Sequence, residues 1–141
     1  MSINTVLNDL KYLCPVLRLK VIYMQEQIKL LSLPMAVFET GRTRERQEYI
    51  MKQRFTRTLQ SKHLFSIADN ILSLAVDFVY YDDKGWSWDY EKHKHEYETL
   101  GMIGKKEGLV WGGNWDTFKD YPHLQLTQAD IDIYNKYFKE G

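Results

Sequence analysis

The eight residues "LAVDFVYY" (74–81) constrain this chain more than any other stretch. Valine and aromatic side chains alternate around a lone acid, Asp77, a pattern that predicts a β-strand. The run ends at Asp82-Asp83-Lys84-Gly85, which predicts a hairpin turn carrying Trp86 and Trp88 briefly back along the same sheet. Everything else has to be arranged around that sheet.

The rest of the chain supplies helices and short strands. Residues 3–31 place Leu7, Leu10, Leu13, Leu17, Val21 and Met24 at three- and four-residue spacings, which predicts helix, with a kink or split at Pro15. "PMAVFET" (34–40) predicts a short strand, and 43–53 a helix capped by Thr43. Residues 89–103 predict a helix ending near Gly104. "GLVWGGNW" (108–115) and "HLQLT" (123–127) predict two short strands around a Gly-rich loop. Thr127 with Asp130 forms a capping-box-like start for a last helix, 128–139. The order is α+β: a small antiparallel sheet flanked by helices. With 141 residues and no linker or low-complexity run, it is expected to form one domain, 1–141.

Composition narrows the partners. Lys+Arg and Asp+Glu both number 19, so no net charge draws the chain to nucleic acid or an anionic membrane. No apolar stretch approaches the roughly 18–20 residues of a membrane span, so stable insertion is not expected. The start, "MSINTVLNDLKYL", lacks the apolar core of a signal peptide, which implies synthesis in the cytoplasm without a leader. The single Cys14 excludes an internal disulfide and sits in an apolar run, as a buried thiol would. Aromatic residues make up 14%, a content that suits a groove for polar ligands.

The four histidines differ in promise. His93 and His95 lie in the charged segment "YEKHKHEYE", two apart, so on a helix they point about 200° apart and cannot share a metal. They read as a solvated helix face. His63 and His123 lie at loop or strand edges with acids nearby, as metal ligands would. After His63 the chain writes a Ser-x-Ala-x-(Asn/Asp) phrase twice, seven residues apart: Ser66, Ala68, Asn70, then Ser73, Ala75, Asp77.

Four segments in order carry a resemblance: "ETGRTRERQ" (39–47), "SKHL…LAVDFV" (61–79), "GLVWGGNW" (108–115) and "DYPH" (120–123). They resemble the zinc peptidoglycan peptidases of the D-alanyl-D-alanine carboxypeptidase / L-alanyl-D-glutamate endopeptidase family, most closely its small phage endolysins. The resemblance spans about residues 7–127. It implies the D-Ala-D-Ala carboxypeptidase/hedgehog-like α+β fold with one catalytic Zn²⁺ in a groove. By position, His63 and His123 match the zinc histidines, Asp120 the catalytic acid/base, and Arg42 the arginine that binds substrate and its oxyanion. The implied chain is a monomeric enzyme that cuts peptidoglycan stem peptides, between L-Ala and D-Glu or as a D-Ala-D-Ala-type carboxypeptidase. It would act on the wall, in the host periplasm, after release, with no separate wall-binding domain.

One departure matters. The family writes Ser-x-His-x-x-Gly-x-Ala-x-Asp, and at that spacing this chain offers Asn70, with Ser66 for the glycine. Asp77 comes seven residues later on the strongest strand. A neutral amide is a poor zinc ligand, which favours Asp77, with Asp69 or Asn70 the alternative. Extra residues after His63 can leave as a loop at small entropic cost. His63, Asp77 and His123 would then hold Zn²⁺ with one position open. Asp120 and His123, three apart, would face opposite ways on a straight strand, so Pro122 predicts a bend. Arg42 has the alternative of a surface salt bridge to Glu39 or Glu45. Trp111 and Trp115 are expected in the groove wall or the core. Gly112 and Gly113 suit a tight turn, and Ser61 a turn cap or a partner for a ligand. The broken spacing also admits a non-catalytic module that binds wall peptides or holds zinc structurally.

Overall fold

The computed structural model describes residues 6–52, 62–66 and 71–139. Its elements run α1 (Pro15–Leu30), β1 (Met35–Glu39), α2 (Arg44–Lys52), β2 (Ala75–Asp82), β3 (Gly85–Ser87), α3 (Lys94–Lys106), β4 (Val110–Trp111), β5 (His123–Gln125) and α4 (Gln128–Tyr134). The sheet order is β1-β2-β5-β4, all antiparallel, and β3 pairs the far end of β2. This is the expected α+β arrangement.

Helix α1 begins later than the leucine spacing predicts. Leu10–Tyr12 form a 3-10 turn capped by the Asp9 carboxylate, and Pro15 opens α1 instead of kinking it. Its missing N–H falls where a helix has no acceptor for one, so the first turn tolerates it. The buried stripe Leu17, Val21, Met24 and Ile28 then faces the sheet. Thr127 caps α4 through a bond from the Asp130 N–H, and residues Asn135–Lys139 continue as a π-helical turn.

Strand β2 is the spine. Val76 and Phe78 join α1 and the α3 residues Tyr97 and Leu100 in the core. Ala75, Asp77 and Val79 face the other way and are also buried, so burial does not alternate over Ala75–Val79. A central strand covered on both faces loses the polar face that alternation requires. Alternation returns only beyond Val79, where the hairpin reaches solvent. Gly85 takes φ 104°, the conformation that the two-residue turn Asp83-Lys84 needs at its exit.

His93 corrects the sequence reading. It is buried, precedes the first turn of α3, and stacks on Tyr80 with ring centroids 3.5 Å apart. Only His95 lies exposed, as a solvated helix face would have it. Helix periodicity applied to 89–93 misplaced His93, because those residues form turns and α3 starts at Lys94.

Candidate metal centre

Three elements deliver the site. Asp77 sits on β2 opposite Glu39 of β1 on one side and His123 of β5 on the other. His63 arrives on a loop pinned at both flanks: the Lys62 carbonyl accepts from the Leu74 N–H, and the His63 carbonyl accepts from the Arg42 N–H, both at 2.8 Å. The Phe65 N–H in turn donates to the Arg42 carbonyl at 3.0 Å. The loops of His63 and Arg42 are therefore zipped together beside the sheet.

Between these anchors Ser66 and Ile71 exchange two backbone hydrogen bonds of 2.8 Å. Asp69, Asn70 and Ser61 lie outside the described residues. His63 and Asp77 nonetheless come together, 3.1 Å apart.

Nε2 of His63, Oδ1 of Asp77 and Nδ1 of His123 converge, all within 4.8 Å of one another, and all three residues are buried. Nε2 of His63 lies 3.1 Å from Nδ1 of His123 and 3.1 Å from Oδ1 of Asp77, which is 3.3 Å from Nδ1 of His123. Zinc bonds of about 2.0–2.1 Å at tetrahedral angles would separate ligand atoms by roughly 3.3–3.4 Å. Among the described residues, Oδ1 of Asp77 is buried and has no hydrogen bond beyond its close approaches to these two imidazole nitrogens, while Oδ2 meets the Arg42 guanidinium at 3.3 Å. A carboxylate with one oxygen neutralised by arginine and the other aimed between two imidazole nitrogens could hold a metal ion. The donor set fits zinc chemistry.

Electrostatics follow from that crowding. Burial would raise the Asp77 carboxyl, but His63, its bonds to both histidines and Arg42 hold it well below the usual carboxylate range. Burial lowers His63 despite Asp77. Burial also disfavours charged His123, yet its bond to Asp77 and the charges of Asp77 and Asp120 raise it above the ordinary value.

Asp120 occupies the rim. Its N–H donates to the Gly112 carbonyl and its own carbonyl accepts from the His123 N–H, both at 3.1 Å, so the chain turns between Asp120 and His123 as Pro122 predicts. Oδ2 then lies 3.9 Å from Nδ1 of His123. Gly112 admits this turn because a Cβ there would collide with the Asp120 carbonyl. Partial burial and then repulsion from Asp77 push the Asp120 carboxyl up to about 6, against the pull of His123 and Arg42. Its side chain is still 46% exposed, so desolvation is incomplete and the neighbouring Asp77 charge is an essential part of that shift.

Arg42 is no surface ion pair. Its Nε meets Oε1 of buried Glu39 at 2.7 Å, a second nitrogen donates to Gln47 at 3.1 Å, and the third reaches Asp77. Glu39 also binds Arg46 at 2.6 Å. Trp111 is core, its indole N–H bonded to the Tyr121 carbonyl at 2.7 Å, whereas Trp115 is half-buried with its ring 5.1 Å from that of His123. Gly112 opens a 3-10 turn with Gly113 and Asn114.

Sequence reasoning missed two residues: Gln125 accepts at 2.7 Å from Nε2 of His123, and Gln47 holds Arg42. Glu39, expected only as a surface partner of Arg42, is buried and clamps two arginines. A signal existed for Gln125, since residues two apart on a strand share a face.

The chain is also similar to proteins of known kind. The family described as D-alanyl-D-alanine carboxypeptidase matches residues 54–126, a little over half of the chain. The chain belongs to that family. It is 37% identical over 59 residues to the peptidoglycan L-alanyl-D-glutamate endopeptidase CwlK of Bacillus subtilis (strain 168), covering 38% of this chain and 35% of that protein. It is 31% identical over 90 residues to the L-alanyl-D-glutamate peptidase of Listeria phage A118, covering 64% of this chain and 29% of that protein. The chain thus spans about a third of the length of these curated relatives. The crystal structure of Serratia marcescens L-Ala D-Glu endopeptidase ChiX superimposes with a TM-score of 0.54 at 28% identity, over 92% of this chain and 86% of that one. Among the described residues, no helix of this family member is long and apolar enough to cross a membrane.

Proposed function

We propose that this chain is a zinc-dependent peptidase that hydrolyses the stem peptide of bacterial peptidoglycan between L-Ala and D-Glu, as a phage or prophage endolysin reaching the wall after release. The observation that carries this is the convergence of Nε2 of His63, Oδ1 of Asp77 and Nδ1 of His123 at 3.1–3.3 Å, with Asp120 at the rim. The choice of bond rests on the relatives named as L-alanyl-D-glutamate peptidases.

His63, Asp77 and His123 would hold the metal. When bound, zinc supplies Lewis acidity, polarising a carbonyl and bringing the pKa of water toward about 7. The residues of the chain do the rest. Asp120 takes the proton from the attacking water and passes it to the leaving amine as the amide C–N bond breaks. Arg42, fixed by Glu39 and Gln47, offers charge to the oxyanion or to a substrate carboxylate. Gln125 keeps the Nε2 proton of His123 occupied, so Nδ1 presents its lone pair to the site.

The family description favours a second reading, a D-Ala-D-Ala carboxypeptidase. One digestion separates the two. Purified peptidoglycan is incubated with the protein, with and without a chelator, and the products are identified by mass. New L-Ala carboxyl and D-Glu amino ends that vanish with chelator and return with zinc support the endopeptidase. Release of D-Ala supports the carboxypeptidase, and intact peptidoglycan in every arm sinks both.

A further inference from the structure

The face of the sheet that bears Asp77 carries an aromatic shelf that the reaction itself does not use. Between the pairs Val37↔Phe78 and Glu39↔Asp77 the register of β1 and β2 slips by one residue. Phe38 is the extra residue of this bulge, so Phe38 and Glu39 both turn toward Asp77's face. The Phe38 ring meets Trp86 edge-on at 5.1 Å and Trp88 at 4.9 Å. Trp86 in turn meets its cross-strand partner Tyr81 at 4.5 Å. Val79, between Asp77 and Tyr81 on the same face, is fully buried. The rings therefore run without a break from the bulge beside the metal centre to the hairpin. Tyr81 lies four positions beyond Asp77, about 13 Å along the strand.

These rings are not core. Trp88 is 53% exposed, Tyr81 48% and Trp86 36%. Large aromatic rings left in solvent side by side mark a contact surface.

We propose that Phe38, Tyr81, Trp86 and Trp88 form a subsite for the amino-sugar rings of the peptidoglycan glycan strand. The proposal rests on the reading of the chain as a stem-peptide hydrolase. The first residue of a stem peptide is amide-linked to a muramyl sugar, so cleavage after that residue brings a pyranose within one residue of the metal. Flat rings with an indole N–H or a phenol at the edge take the C–H face of a pyranose and bond its hydroxyls at the rim. The hairpin loop beside them, Asp82-Asp83-Lys84, carries more negative than positive charge, which disfavours an anionic lipid surface.

The test uses the disaccharide N-acetylglucosaminyl-N-acetylmuramic acid without peptide, titrated by calorimetry into wild type and into the double variant Trp86→Ala/Trp88→Ala. Saturable binding by wild type, weakened about tenfold in the variant and largely kept in Trp86→Phe/Trp88→Phe, is the expected result. A second arm compares kcat/KM for a disaccharide-linked stem peptide with that for the same peptide lacking the sugar. The wild-type preference for the sugar-linked substrate should fall about tenfold in the alanine variant. The proposal is overturned if wild type does not bind the disaccharide, or if the alanine variant loses both substrates equally. It is also overturned if the variant's only loss is binding to phosphatidylcholine vesicles. Failure of the peptidase reading would appear differently, as no cleavage of either peptide, while the disaccharide titration would still report on the shelf.

Discussion

Removing the Gln125 side-chain oxygen should loosen the metal without touching a ligand. In Gln125→Leu the shape is roughly kept, but His123 loses the acceptor 2.7 Å from its Nε2. His123 is 6% exposed, so water does not replace that partner well. The neutral ring can then carry its proton on Nδ1, where Oδ1 of Asp77 waits at 3.3 Å. That tautomer blocks the nitrogen that faces the metal. Loss of such a partner costs about 10–100-fold in metal affinity, and burial places this case toward the upper half, about 50-fold. This corresponds to roughly 2.3 kcal/mol. Competition for zinc against a chromophoric chelator at neutral pH measures the constant, and the ¹⁵N shifts of His123 in the metal-free protein report the tautomer. Gln125→Glu keeps the acceptor and should bind zinc at least as tightly as wild type. A Gln125→Leu affinity within threefold of wild type, with the Nε2–H tautomer still dominant, would refute the reasoning.

Four further outcomes are expected. Asp77→Ala should abolish tight zinc binding while Asp69→Ala and Asn70→Ala leave it nearly intact; elemental analysis of the purified variants decides, and loss on changing Asn70 would make the first Ser-x-Ala phrase the working one. Asp120→Asn should retain zinc yet slow hydrolysis by about 10²–10⁴-fold, so near-normal turnover on a stem peptide would remove Asp120 from proton transfer. Glu39→Gln removes the charge shared by two guanidinium groups and turns an amide NH₂ toward one of them, in a site where the carboxylate side chain is 2% exposed. Breaking a buried pair costs about 3–5 kcal/mol; with Gln47 and Asp77 still holding Arg42, the lower end is expected in urea melts, and a change below about 0.5 kcal/mol would show the network adds nothing net. Burial raises the Cys14 thiol above its ordinary value of 9.0. The folded state thus favours the neutral form, and this contribution, complete below pH 9, declines as pH rises further. Cys14→Ala should flatten the alkaline fall in stability relative to wild type; identical slopes would contradict that.

The strand 74–81, its hairpin turn, the capping of the last helix and the α+β order were legible because each is a local preference, repeated over adjacent residues. The start of α1 and the burial of His93 were not. Both depend on where a helix begins, and that is decided by caps and packing beyond the periodic stretch. The identities of His63, Asp77 and His123 came from residue type and resemblance, but no spacing in the chain says that 14 residues after His63 an acid returns to it. Ser66 and Ile71 pair between the two, and only the folded backbone shows such pairing. The bond from His123 to Gln125, the Glu39 clamp on Arg42 and the bulge at Phe38 likewise exist only once β1, β2 and β5 lie side by side. Sequence determines which side chains are available and which way each short segment bends. Tertiary structure decides which polar atoms, distant along the chain, are dried and brought within about 3 Å, where their chemistry begins.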